Sequence, residues 1–368
     1  MKNIKPGGFV FLAVIAALIA GGKWYFSQHP NPEASRPAQP EPGEAATITA
    51  FVGGEKMLFI QNDQVIGLLK ERYNLTVNAT KAGSMEMVAT ANPGVDCLWP
   101  SNQVAAEVFQ ANGGKALAKE NIFSSPLVFY AWDEVADALV KSGYAAKRPD
   151  SYQIDFGKLS TALREGKSWG DIGLGQLYGK VKVYTTDPTV SNSGNMFAGL
   201  LATVWNGGEV PDETSVNALL PDIKRYFQRM GSMERSSSDL FDNFLKQGAG
   251  ARPIIVSYEN QLVEFSLMHE ESQQLLRDRI RTMYPQPTVW SEHPVIAITP
   301  KCKRLIAALK DPDIQKLAWE KHGFRSGLIG VQNDPKILNV TGIPAQVTAV
   351  IPMPGAPVME KIIQTLQQ

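Results

Sequence analysis

Thr47-Ile-Thr-Ala-Phe-Val52 is followed by Gly53-Gly54. Leu75-Thr-Val-Asn-Ala-Thr80 is followed by Gly83-Ser84, and Val95-Asp-Cys-Leu-Trp99 by Pro100-Ser101-Asn102. Each apolar, β-branched run has strand length and ends on small or polar residues. Between them lie helix-like segments: Val65, Ile66, Leu68 and Leu69 at helical spacing, Met85 to Ala91, and the run around Val104–Phe109. A strand, a loop and a helix repeated in this way predict a parallel sheet covered by helices, an α/β architecture. The strands' carboxyl ends then carry glycine and serine, where such sheets place their ligands.

Outward from this stretch, Pro126–Trp132, Val181–Thr186, Pro253–Ser257, Thr288–Trp290 and Val295–Thr299 read as further strands. Val135–Val140 fits either a strand extension or a short helix. Asp155–Glu165, Met196–Trp205, Pro221–Met230, Leu240–Gln247, the segment through Met268, Leu305–Leu309 and Ile314–Lys321 read as helices. Two α/β units alternate along the chain, and the first is completed late. That order predicts two lobes with a cleft between them.

The N-terminus carries Lys2 and Lys5 before an apolar run from Phe9 to Gly22, then Lys23-Trp24-Tyr25-Phe26 and a proline-rich stretch to Gly43. A cleaved signal peptide and an uncleaved anchor both fit. The semi-rigid spacer favours the anchor, since a spacer holds a domain off a membrane only if its upstream end is kept. The lysines then keep the N-terminus cytoplasmic. Charge is balanced, with 36 basic and 36 acidic residues and no basic stripe, so nucleic acid is not an expected partner. Cys97 and Cys302 either bridge or stay as two buried thiols. The late strand before Cys302 returns to the first unit, where Cys97 lies, so a bridge is geometrically allowed. The four histidines lack metal-ligand spacing, and His293, before Pro294, reads as structural. No Gly-x-Ser-x-Gly elbow occurs, and Gly170–Gly175 lacks the strand-then-helix setting of a dinucleotide loop. No enzyme, metal or cofactor is expected.

Taken in order, several features resemble the bacterial extracellular solute-binding proteins of the type II periplasmic-binding fold, in the style of the molybdate, sulfate, phosphate and iron binders. They are the exported N-terminus, Gly53-Gly54, Gly83-Ser84, Asp187-Pro…Ser191-Asn-Ser193-Gly194, Tyr258-Glu259-Asn260, Tyr284–Trp290 with His293-Pro294, and Gly323-Phe324-Arg325. The resemblance covers roughly residues 47–330. It implies lobe 1 at 47–130 plus 285–330 and lobe 2 at 131–284; the N-terminal reading sets a signal-anchor segment at 1–27 and a linker at 28–46, and a tail follows at 331–368. The implied protein sits in the bacterial inner membrane by a single N-terminal pass, with its globular part in the periplasm or outside the cell. It binds a small-molecule or ion ligand by hinge closure, and its partners are an ABC-type permease or other inner-membrane proteins. The anchor and the proline-bearing tail depart from classical members. They keep open a second role, a tethered sensor or scaffold in an envelope complex.

The expected ligand residues are Gly53, Gly54, Glu55, Gly83, Ser84, Ser101, Ser191, Ser193, Gly194 and Tyr258. Ser193-Gly194-Asn195 opens an expected helix, where free N–H groups and the dipole hold an anionic or carbonyl oxygen. Ser193 and Ser84 read equally as helix caps, Glu55 as a first-turn acid, and Tyr258 as packing. Trp99 and Trp132 suit the core better than a cleft wall. No positive charge is expected at these strand ends, whereas Glu55, Asp133 and Glu259 fall near the cleft. On that reading an oxyanion held by neutral donors and a cationic or neutral ligand both remain open.

Overall fold

β1 (Ala46–Val52) buries Ile48, Ala50 and Val52 on alternate positions. It pairs in parallel with β2 (Leu75–Lys81) and β3 (Cys97–Trp99). A tight turn at Gly54–Lys56 leads into α1 (Met57–Ile60) and α2 (Asp63–Tyr73). The Asn62 side chain caps α2 by accepting from Gln64 N, and Asn74 ends it in the left-handed region at φ 53°. α3 (Glu86–Ala89) follows β2, and α4 (Gln103–Ala111) follows β3 with Asn102 as its cap. The three strand-loop-helix units are therefore present as expected.

The computed structural model describes residues 43–89, 93–338 and 340–368. The expected anchor at 1–27, the linker up to residue 42 and the end of the 85–91 helix lie outside the described residues. Among the described residues no helix is long and apolar enough to cross a membrane.

The remaining elements are β4 (Ala118–Trp132), α5 (Asp133–Lys141), β5 (Ala145–Lys147), β6 (Tyr152–Asp155), α6 (Phe156–Glu165) and α7 (Asn192–Trp205). Then come α8 (Leu220–Gln228), α9 (Ser237–Ala251), β7 (Ile254–Tyr258), α10 (Glu259–Met268), α11 (Gln273–Arg279), β8 (Ile280–Gln286) and β9 (Trp290–Ala297). α12 (Pro300–Leu309), α13 (Pro312–His322), β10 (Arg325–Ser326) and α14 (Ala356–Gln367) complete the chain. The strand order is β2-β1-β3-β9-β4-β8-β6-β5, with β7 and β10 also paired to β4.

The strands of the three expected units pair in parallel, and the sheet as a whole is mixed. β9 returns from late in the chain and inserts antiparallel between β3 and β4. β4 is also longer than the expected Pro126–Trp132 strand. Its first part pairs with β9 and β10, and its second part, from Leu127, pairs with β7 and β8. Lys119, Glu120 and Asn121 hide the first part in the sequence. The two late strands expected at Thr288–Trp290 and Val295–Thr299 overlap the two ends of one strand, β9, which leaves Thr288, Val289, Ile298 and Thr299 outside it. Val181–Thr186 is not a regular strand; a single bridge from Tyr184 to Ile255 holds it. α7 begins before the expected Met196, because Asn192-Ser-Gly-Asn reads as loop but forms the first helical turn. Val135–Val140 is helix.

Two apolar cores result. One packs Phe59, Trp99, Phe123 and Phe324 between the β1–β3–β9 face and helices α1, α2, α12 and α13. The other is continuous from α3 and α4 through β4, α7, α8 and α9 to Ile362 in the tail. The tail is part of the fold. Ala349 O accepts from Thr288 N, and Thr288 O accepts from Ile351 N. Met353, Pro354 and Met359 then close on Gly199, and α14 packs against α4, α7 and α8.

Cys97 in β3 and Cys302 in α12 form a disulfide with Cα atoms 5.5 Å apart, which settles the open alternative. The bridge spans 205 residues and so removes much chain entropy from the unfolded state. A Cys97→Ala/Cys302→Ala variant is expected to lose ~2–5 kcal/mol in urea unfolding, and the denatured, unreduced wild-type chain is expected to take up no thiol label.

Candidate functional site

The loops that follow β1, β2 and β3 converge with the ends of β7, α7 and α9 on a cavity of about 530 Å³. Of the ten expected ligand residues, Gly53, Gly54, Glu55, Gly83, Ser84, Ser101, Ser191 and Tyr258 line it. Ser193 and Gly194 do not. The Ser193 hydroxyl lies 2.7 Å from Thr186 Oγ1, which also accepts from Gly194 N at 2.9 Å, so both residues are spent behind the wall. A Cβ at Gly194 would run into the Thr186 carbonyl, which accounts for the glycine.

The floor of the cavity is a buried polar cluster. Lys56 is fully buried. Its ammonium donates to Glu55 Oε1 at 2.5 Å, to Ser101 Oγ at 3.0 Å and to His293 Nδ1 at 3.0 Å, with Pro100 O at 3.4 Å. Ser101 Oγ donates in turn to Glu55. His293 Nε2 faces Ser291 Oγ at 3.2 Å, and that hydroxyl donates to Ser101 O at 2.7 Å. Gly53 belongs to the same cluster. A Cβ there would collide with Ser101 Oγ and stand 2.8 Å from Lys56 Nζ, so only glycine fits.

Burial opposes the charge of Glu55, yet the ammonium of Lys56 and the His293 contact outweigh it and hold the carboxyl well below its ordinary 4.5. Burial lowers Lys56, and Glu55 restores part of the loss. Burial and then the Lys56 charge lower His293 to about 4, so the imidazole is neutral at physiological pH. The Ser101 hydroxyl has its proton and a lone pair engaged inside the cluster. It is a fixed wall group rather than a free nucleophile.

Serine hydroxyls and helix termini surround this floor. Ser84 Oγ accepts from Ser101 N at 2.9 Å and so ties two strand-end loops together, leaving its own proton to donate. α9 starts at the wall with Ser236, Ser237 and Ser238, capped by Ser236 Oγ accepting from Asp239 N. α7 starts there too, with Ser191 as its cap residue. Asn192 spans the cavity: its Nδ2 lies 3.0 Å from Ser101 O and 2.9 Å from Tyr258 Oη, and its Oδ1 accepts from Asn102.

The charge pattern corrects the sequence reading. Lys81, the last residue of β2, and Arg235, before α9, both line the cavity, and neither has an ion-pair partner among the described residues. The acids expected to repel an anion are consumed. Glu55 is paired with Lys56. Glu259 lies away from the cavity, fully buried against Arg325 through contacts of 2.6 and 3.0 Å, with Tyr284 donating to it. Asp133 pairs with Arg279. Of the other lining acids, Glu86 Oε2 accepts from Gly83 N and Asp239 accepts from Ser236, and neither has an ion-pair partner among the described residues. Trp99 and Trp132 are core residues, as expected.

Sequence reasoning missed Lys56, Lys81, Asn192, Arg235 and His293. Ser236-x-x-Asp239 before an apolar run was a legible helix-start signal, and it points to Arg235 just outside that helix. Nothing local marks Lys56 and His293, which are 237 residues apart.

No family model matches the chain, and no curated protein matches its sequence. Solved structures do resemble it. The apo ferric ion-binding protein A of Pasteurella haemolytica has a TM-score of 0.55 at 12% identity, covering 88% of this chain and 96% of its own. The substrate-binding protein of an ABC transporter from Agrobacterium tumefaciens has a TM-score of 0.55 at 13% identity, covering 90% and 97%. The sulfate-binding protein SubI of Mycobacterium tuberculosis has a TM-score of 0.50 at 17% identity, covering 88% and 96%. The chain thus has the mixed α/β fold of periplasmic solute-binding proteins.

The buried floor has a pH signature. Between about pH 6.5 and 4 an unfolded His293 takes up a proton that the folded one refuses, so unfolding free energy falls as pH drops through that window, by ~3 kcal/mol at most. Glu55, held lower, adds its loss only below its ordinary 4.5. Urea unfolding across this range should show the slope in wild type, and His293→Gln should flatten the upper window while leaving the more acidic limb.

Proposed function

We propose that the chain is an extracytoplasmic solute-binding protein whose cleft takes a small solute bearing an oxyanion. The observation that carries this reading is the pair of cations, Lys81 and Arg235, without ion-pair partners among the described residues, facing a cavity rimmed by serine hydroxyls and two helix N-termini. Helix dipoles and free N–H groups favour negative charge, and a planar guanidinium suits an oxyanion's paired oxygens. Neighbours of the same fold include proteins described as binding sulfate and ferric ion.

The division into lobe 1 (47–130 and 285–330) and lobe 2 (131–284) is supported by β4, whose partners change at Leu127. The cavity walls then come from both lobes, and hinge motion about β4 and the 287–289 crossing opens and closes it. An anchor at 1–27 would hold this domain beside a permease. The tethered sensor or scaffold role is favoured by a different observation: α14 packs against α4 on one side and α7 and α8 on the other, a strap that limits opening.

Calorimetric titration with phosphate, sulfate and molybdate tests the binding reading. Binding of at least one is expected, with a melting temperature that rises on saturation. Arg235→Gln and Lys81→Gln should each weaken it about ten- to hundredfold. No anion binding, or binding that ignores both substitutions, contradicts the proposal and leaves the scaffold role. In the same titration Ser84→Ala should weaken binding, whereas Ser193→Ala, whose hydroxyl is spent on Thr186, should change melting temperature and not affinity.

A further inference from the structure

A second cavity of about 770 Å³ adjoins the cleft. The two share Gly83, Ser84, Glu86, Val190, Ser191, Asn192 and Arg235 on their common rim. Their linings differ. The cleft surface is mainly polar. The adjoining compartment is mainly apolar, walled by Val104, Pro188 and Val190 on one side and by Ala356, Met359 and Ile363 of α14 on the other. Val190 is 44% exposed and Met85 36%, and both line this compartment. Exposed large apolar side chains gathered in one concavity mark a surface that a ligand covers. Asn195, 6% exposed, lies in the wall with its Oδ1 buried and unpartnered among the described residues.

We infer that the solute is amphiphilic: its oxyanion head sits in the polar cleft and its apolar body runs past Arg235 into the compartment closed by α14. This rests on the oxyanion reading of the cleft and adds the chemical class of the rest of the ligand. Arg235 lines both cavities, so a head held there leaves the remainder of a solute directed along Val190 toward Ile363. The tail supplies one wall of the binding site, which gives residues 356–367 a role beyond strapping the fold.

The test compares inorganic phosphate and sulfate with butyl and hexyl phosphate and butyl and hexyl sulfate by calorimetry on the full chain. Burial of methylenes in the compartment should tighten binding about two- to fourfold each, so the hexyl esters should exceed the inorganic ions by well over tenfold. A Met85→Ser/Ile363→Ser variant, altered at exposed or partly exposed positions that line only the apolar compartment, should keep the inorganic affinity and lose most of the gain. Inorganic binding with no gain from the alkyl chain overturns this inference and leaves the cleft reading standing. A gain that survives in the variant also overturns it, since the chain then lies elsewhere. Silence from every ion and ester overturns the cleft reading and this inference together.

Discussion

A buried ammonium organises this protein. Lys56 lies with no exposure at the carboxyl end of the central strands, where an uncompensated charge would cost several kcal/mol. Its three donors must be met, and they are met by Glu55, Ser101 and His293, groups drawn from the β1 loop, the β3 loop and β9. Satisfying one cation therefore fixes the turn at Gly53, the loop at Ser101 and the insertion of β9 beside β3. The bonds extend outward from there. Ser101 N donates to Ser84, and Ser101 O receives Asn192 and Ser291. The walls of the cleft are thus referenced to the same floor.

A second buried pair does comparable work where the chain crosses between its two packings. Arg325 holds Glu259 bidentately, and its remaining donors reach the carbonyls of Pro344 and Ala345. This joins β10, α10 and the start of the tail. It also removes Glu259 from the electrostatics of the cleft. With Glu55 neutralised by Lys56, the lining keeps Lys81 and Arg235 without ion-pair partners among the described residues, beside the carboxylates of Glu86 and Asp239, which are held by Gly83 N and the Ser236 hydroxyl. The fold removes Glu55 and Glu259 from the site's electrostatics and adds Lys81 and Arg235, neither of which the sequence reading placed there.

The first three strands and their helices were legible because each is a short apolar run ended by small residues. The gathering of the strand-end loops followed from that pattern alone. What stayed hidden has physical causes. The first part of β4 is polar because it runs at the edge of one packing before entering the next. β8 contains Arg281 and Pro285 and carries no clean alternation. The opening turn of α7 consists of residues that favour loops, and packing makes it helical by burying Ser193, Gly194 and Asn195. Lys56 drew no reading in the run after Gly54, and His293 read as a structural residue before proline. Their meeting is a long-range event with no local trace. The proline-bearing tail read only as a departure from classical members, yet it runs past Thr288 and brings α14 onto the cleft's flank.

The account stands or falls on where an anion sits. A crystal structure of the protein grown with saturating phosphate or sulfate tests it most directly. The account predicts one ion within hydrogen-bonding distance of Lys81 and Arg235, contacted by serine hydroxyls at the starts of α7 and α9, above an unaltered Lys56–Glu55–Ser101–His293 floor. An empty cleft at saturation, or an ion bound only elsewhere on the molecule, would contradict it.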